Sequence, residues 1–279
     1  MQEREKNIYD DRKIGVFDSG IGGLTVLKAL KRKLPDESYI YIGDTARLPY
    51  GTKSRETVIK YSESLTRAVL KQNIKAVVVA CNTASTHALE KVKEIASPLP
   101  VIGMIEPAAK AACKATAKGH IAVIATTGTI HSGAYTSAIQ GYAPETKVSN
   151  AACQMLVALA EEGWNEQDDP VARSIIHRYL DPLFDQTNAP DTLILGCTHF
   201  PLFTNIISEI LGPDVTLINS GEEAAQTVTS QISPSSVTDC HTQFFATDDP
   251  VRFARNALRF YDHHIGQDDI ELMDIYLYT

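Results

Sequence analysis

The chain carries one short unit twice. Val77-Val78-Val79-Ala80-Cys81-Asn82-Thr83 resembles Leu193-Ile194-Leu195-Gly196-Cys197-Thr198-His199. In each, an apolar run leads to a small residue, a cysteine, a threonine one or two places on, and a helix-like stretch. A run that is apolar on consecutive positions marks a strand buried on both faces, which needs helices above and below it. The repeat therefore predicts two similar α/β halves that face each other and bring both cysteines to one cleft.

The remaining sequence fits this frame. Strands are predicted over 13–18, 38–43, 76–80, 101–104, 120–125, 192–196, 215–219 and 243–246. Helical patterns occupy 22–33, 54–72, 83–95, 106–117, 171–184, 202–211, 222–231 and 250–263. Alternation of this kind predicts α/β layers with mostly parallel sheets, with ligands at the carboxyl ends of the strands.

Composition narrows the function classes. A length of 279 residues suggests about two domains and needs no disulfide or metal staple. The formal net charge is −8, without a long Lys/Arg cluster, which argues against nucleic acid or an anionic membrane as partner. The first thirteen residues mix both charge signs without an apolar core, unlike a signal peptide, and no apolar run approaches the ~20 residues that span a bilayer. The chain reads as cytoplasmic. Its cysteines, Cys81, Cys113, Cys153, Cys197 and Cys240, are odd in number and widely spaced, so reduced thiols are the expectation.

Cys81 and Cys197 each stand where a strand gives way to a helix. Helix N–H groups and the positive end of the helix dipole favour thiolate there. A single such cysteine is more often a small buried apolar group; the matched flanks tip the balance toward function. Three chemistries are compatible with two thiols: a disulfide couple, a nucleophile with a histidine base such as His199, and a pair of acid/base groups on opposite faces of a substrate. The last suits stereoinversion, in which one thiolate takes a proton from carbon and the opposing thiol returns one.

Other corners carry polar groups at strand ends. Asp18-Ser19-Gly20-Ile21-Gly22-Gly23 is a glycine turn with neither dinucleotide nor P-loop spacing. Asp18 there is placed to hold an ammonium group or to orient a thiol. Leu48-Pro49-Tyr50-Gly51-Thr52 is a shaped loop whose N–H groups suit a carboxylate. Thr126-Thr127-Gly128-Thr129 offers hydroxyls and helix N–H groups to an anion, or merely caps a helix. The histidines show no zinc spacing, and acidic runs such as Glu161-Glu162 read as solvated surface.

Taken together, residues 17–24, Asp44 through Gly51, 80–85 and 195–202 resemble the glutamate racemase family of cofactor-independent amino-acid racemases, over about Ile14 to Ala225. The resemblance implies two similar α/β domains with the site between them: residues 1–104 with 218–279, and residues 105–217. It implies interconversion of L-glutamate and D-glutamate, supplying D-glutamate for peptidoglycan, with no cofactor and no metal. Cys81 would deprotonate the D-enantiomer and Cys197 the L-enantiomer, with Asp18 and His199 supporting the thiols. Ser19, Pro49, Tyr50, Gly51, Asn82, Thr83, Thr126, Thr129 and Thr198 would hold substrate alongside Asp18 and His199, and Glu161 falls at a further acidic position of the pattern. A homodimer and a peptidoglycan-precursor activator are further expectations of the family. The sequence departs from the family pattern at Gln154 and Ala158, where proline is frequent. Rival readings are a related aspartate or hydantoin racemase and a non-catalytic dicarboxylate-binding protein.

Overall fold

The computed structural model describes residues 9–278; most of the leader considered above, residues 1–8, lies outside the described residues. Among the described residues ten strands form two sheets: β1 (Lys13–Asp18), β2 (Tyr39–Gly43), β3 (Ile74–Val79), β4 (Val101–Ile102), β5 (His120–Ala125), β6 (Lys147–Ala152), β7 (Thr192–Gly196), β8 (Thr216–Asn219), β9 (Thr242–Ala246) and β10 (Ile270–Leu272). One sheet runs β10-β9-β2-β1-β3-β4 and the other β6-β5-β7-β8. Every strand pairing among the described residues is parallel.

The apolar runs explain the central strands. β2, β3, β5 and β7 are buried at every position, as strands covered by helices on both faces must be. Two strands escaped the sequence analysis. β6, Lys-Val-Ser-Asn-Ala-Ala, is an edge strand with partly exposed residues and no apolar run. β10 has three residues and is held by pairing with β9.

Helices fill the crossovers. Ser54 caps Arg55–Leu70 by accepting the Thr57 N–H at 3.3 Å, and Asp169 caps Pro170–Phe184 through the Val171 and Ala172 N–H groups. The stretch expected as one helix from residue 83 to 95 is two, Asn82–His87 and Leu89–Ala96, with Ala88 closing the first turn. The late helix ends at Tyr261, before His263 and His264. Short helices at Ala134–Tyr142 and Gln154–Glu162 went unpredicted, whereas Thr127–His131 opens at the Thr126 turn that suggests a helix start.

The chain enters the second sheet after helix Ile105–Ala115 and leaves it through helix Ser220–Thr229; these two helices pack on each other. β8 belongs to the second sheet as far as Asn219. One continuous core joins the halves, containing Val78 and Ala80 together with Ala122 and Leu195. No helix among the described residues is long and apolar enough to cross a membrane.

Candidate active site

Four central strands, β1 and β3 of one sheet and β5 and β7 of the other, end toward a shared cleft. It is lined by Ser19, Pro49, Tyr50, Gly51, Cys81, Asn82, Thr83, Thr126, Glu161, Cys197, Thr198 and His199, and encloses about 440 Å3, part of it open to solvent. Asp18 and Thr129 stand behind that lining, both fully or almost fully buried. Gly20 and Leu48, which lie within the turn and loop singled out in the sequence but not among the expected contacts, also face the cleft, as do Gln154 and Val157, for which no site role was expected. Gln154, Val157 and Glu161 recur at helical spacing on Gln154–Glu162, a signal present in the sequence but indistinguishable there from an ordinary buried face.

Cys81 caps helix Asn82–His87, its Sγ accepting the Ala84 N–H at 3.4 Å. The helix position was expected to lower this thiol. Burial instead, with the charge of Asp18, pushes it up to about 12, and hydrogen bonds from Ser19 and Ala84 offset only part of that rise. Desolvation of an anion outweighs one turn of helix amides.

Cys197 lies in a chain of groups. His199 Nδ1 is 3.8 Å from its sulfur, and His199 Nε2 is 3.3 Å from Glu161 Oε1. Burial works against the imidazolium, but Cys197 and Glu161 overcome it and raise His199 to about 10. Glu161, whose carboxyl His199 lowers, is therefore part of this arm. This corrects the surface reading for Glu161, whereas Glu162 is exposed as expected. An acidic pair on a helix gives no local sign that one member faces a histidine 38 residues away.

Asp18 approaches from the first sheet. Its Oδ2 accepts the Gly20 N–H at 3.0 Å, while Oδ1 is buried without a partner. Burial raises its carboxyl, opposed by the charge of His199 and by turn N–H groups.

The polar walls join the two halves. Thr83 Oγ1 lies 2.9 Å from Thr126 Oγ1 and 3.2 Å from Thr129 Oγ1, a triangle of hydroxyls across the cleft. Asn82 donates to Ser220 Oγ at 3.3 Å and accepts from Tyr135 at 2.7 Å, so both ends of its amide are held. The Tyr50 hydroxyl donates to Asp44, which also accepts from Arg47 at 2.7 Å and from Thr247 at 2.9 Å. Tyr50 thus lines the cleft with its hydroxyl already engaged by Asp44. At Gly51 an added Cβ would lie 2.7 Å from Thr126 Cβ, so glycine is what lets this loop reach the opposite half.

A cleft lined by two cysteines, one from each of two parallel-sheet α/β halves, accompanies the fold of an amino-acid racemase. The chain belongs to the Asp/Glu/Hydantoin racemase family, whose model matches residues 14–228. Its similarity is to glutamate racemases in particular. That of Geobacter metallireducens is 46% identical over 259 residues, covering 91% of this chain and 94% of that protein. The structure of the Francisella tularensis enzyme in complex with D-glutamate superposes with a TM-score of 0.88 at 35% identity, covering 96% of this chain and 99% of that one. The Escherichia coli enzyme, solved with L-glutamate and activator UDP-MurNAc-ala, gives 0.73 at 31% identity, covering 88% and 93%.

Proposed function

We propose that the chain interconverts L- and D-glutamate, without cofactor or metal, by moving a proton between the substrate Cα and two thiols. The observation that carries this is Cys81 and Cys197 lining one cleft from the ends of two different sheets. Burial and Asp18 push the Cys81 thiol up, and the His199 ring, raised by its neighbours, lies 3.8 Å from the Cys197 sulfur. In the L-to-D direction a Cys197 thiolate takes the Cα proton of L-glutamate. The electron pair passes into the α-carboxylate, and the Cys81 S–H bond breaks to deliver its proton to the opposite face. D-glutamate leaves behind a Cys81 thiolate and a Cys197 thiol, and the reverse reaction starts from there.

The Cα proton is a very weak acid, so the site must favour the carbanion-like transition state over bound glutamate. Hydroxyls of Ser19, Thr83, Thr126 and Thr198, with backbone groups of Pro49, Tyr50 and Gly51 and the Asn82 amide, are our assignment for the contacts to substrate. Asp18 and Thr129 support them from behind, and His199 with Glu161 serves Cys197. The proposal extends to D-glutamate supply for peptidoglycan in the cytoplasm, to sensitivity toward a UDP-linked precursor like the one held by the E. coli relative, and to a homodimer. Similarity to glutamate racemases over nearly the whole chain supports this substrate over aspartate or a hydantoin.

Proton NMR of each enantiomer in D2O, without cofactor, tests the reading beside Cys81→Ala and Cys197→Ala. Loss of the Cα–H signal, with optical rotation decaying to zero from either side and abolished in both variants, is expected. Glutamate binding without exchange would favour a dicarboxylate-binding protein; neither binding nor exchange would point to another acid.

A further inference from the structure

Helix Pro250–Tyr261 follows β9 and lies beyond residue 228, where the family match ends. It is anchored on the first sheet's side. Phe253 meets Tyr41 and Tyr261 meets Phe244, both edge-on, and Asp262 just past its end pairs with Lys28. From that base two consecutive residues reach into the other half. Phe260, buried, meets the His199 ring edge-on, with centroids 5.3 Å apart and planes at 80°. Arg259 Nη1 donates to the Glu161 carbonyl at 2.6 Å.

The chain around Glu161 is shaped for this. Gly163 ends helix Gln154–Glu162 in the left-handed region at φ +80, and a Cβ there would lie 2.7 Å from Arg259 Cζ. Glycine therefore both closes the helix and admits the guanidinium. One helix thus touches both groups that stand behind Cys197. The hydrogen bonds to Cys81 come instead from Ala84 and Ser19.

We propose that helix Pro250–Tyr261 belongs to the Cys197 arm of the site, with Phe260 and Arg259 as positioning residues that hold His199 and Glu161 against Cys197 and govern proton transfer at that thiol rather than at Cys81. This rests on the two-thiol reading above. The Phe260 edge restricts rotation of the imidazole, and Arg259 fixes the end of the helix that carries Glu161. Release of either lets the imidazole drift from the sulfur.

Rates alone do not separate the two arms. Enantiomers have equal free energy in water, so any variant lowers kcat/KM equally for both. Isotope effects do separate them. α-Deuterated L-glutamate reports bond breaking at Cys197, and α-deuterated D-glutamate reports it at Cys81.

The experiment compares the full-length protein with Phe260→Leu, Arg259→Gln and Arg259→Lys, using protio and α-deuterated substrate of each hand. Phe260→Leu and Arg259→Gln are expected to lower kcat/KM about tenfold or more, the scale of a small misplacement of a reacting group. The isotope effect on kcat/KM rises for L-glutamate and falls for D-glutamate, and Arg259→Lys restores most of the rate. Isotope effects that move together for both enantiomers, or rates that do not move, overturn the inference. Should Phe260→Leu fail to fold, Arg259, which is exposed, carries the test alone. A wild-type protein that exchanges no Cα–H defeats the two-thiol reading itself, an outcome separate from symmetric isotope effects in active variants.

Discussion

Gly22 stands directly against His199: a Cβ at Gly22 would lie 2.5 Å from the imidazole Cε1 and 2.5 Å from the Thr198 hydroxyl. The glycine turn of one half thereby closes on the histidine arm of the other. Thr25, just inside the helix that this turn opens, reinforces the contact by donating to the Thr198 carbonyl at 2.9 Å.

Gly22→Ala therefore has nowhere to put its methyl group without displacing two buried side chains. We expect kcat/KM to fall about 100-fold from misplacement of the Cys197 arm, with an overpacking cost of about 1–3 kcal/mol. Steady-state kinetics with a thermal melt checks both; wild-type kinetics would mean that the two halves separate freely at this point.

Asp18→Asn trades activity against stability in a pH-dependent way. Burial raises the Asp18 carboxyl above its ordinary 3.8. A raised acid binds its proton more tightly folded than unfolded, so its contribution is best in acid and worsens as pH climbs above 3.8. Asparagine removes that loss, with an expected gain of about 1–3 kcal/mol at pH 7 and none near pH 3, read by denaturant unfolding. The same substitution removes a charge that raises Cys81, whose thiol then titrates below about 12. Site-resolved alkylation of Cys81 across pH measures the shift, and an unmoved profile refutes the coupling.

Glu161→Gln tests the other arm. His199 is raised to about 10 from an ordinary 6.5. The stability it contributes is complete below about 6.5 and is lost as pH rises through about 10. Removing the Glu161 charge brings that loss, and the alkaline limb of activity, to lower pH. NMR titration of the His199 ring reports it directly; an unchanged midpoint would show that Glu161 does not support the imidazolium.

Lys75 and Glu37 form a buried pair at 2.7 Å, and Lys75 also donates to the carbonyls of Asp10 and Ser233. Lys75→Met leaves Glu37 buried without its cation, at an expected cost of about 3–5 kcal/mol. Turnover per folded molecule should hold, because the pair lies outside the cleft lining. A variant as stable as wild type would show that water reaches Glu37.

Much of the architecture is legible from local pattern. β1, β5 and β7 fall on the residues expected, because a strand covered on both faces must be apolar at successive positions. β6 and β10 were invisible for the converse reason: they are held by a neighbouring strand rather than by their own apolar content. The break at Ala88 was equally hidden, since helical periodicity continues through it.

The sequence alone determined that this chain layers helices on parallel strands, and that Cys81 and Cys197 end two matching strands. Both facts are written in residue type and short spacing, which burial and helix capping act on directly. The tertiary structure decided the rest. It joined Glu161 to His199, pressed Gly22 and Phe260 against the same imidazole, engaged the Tyr50 hydroxyl with Asp44, and buried Cys81 deeply enough to push its thiol up. Each depends on groups distant in the chain meeting in a low-dielectric space, and such meetings leave no periodic trace in the sequence that makes them.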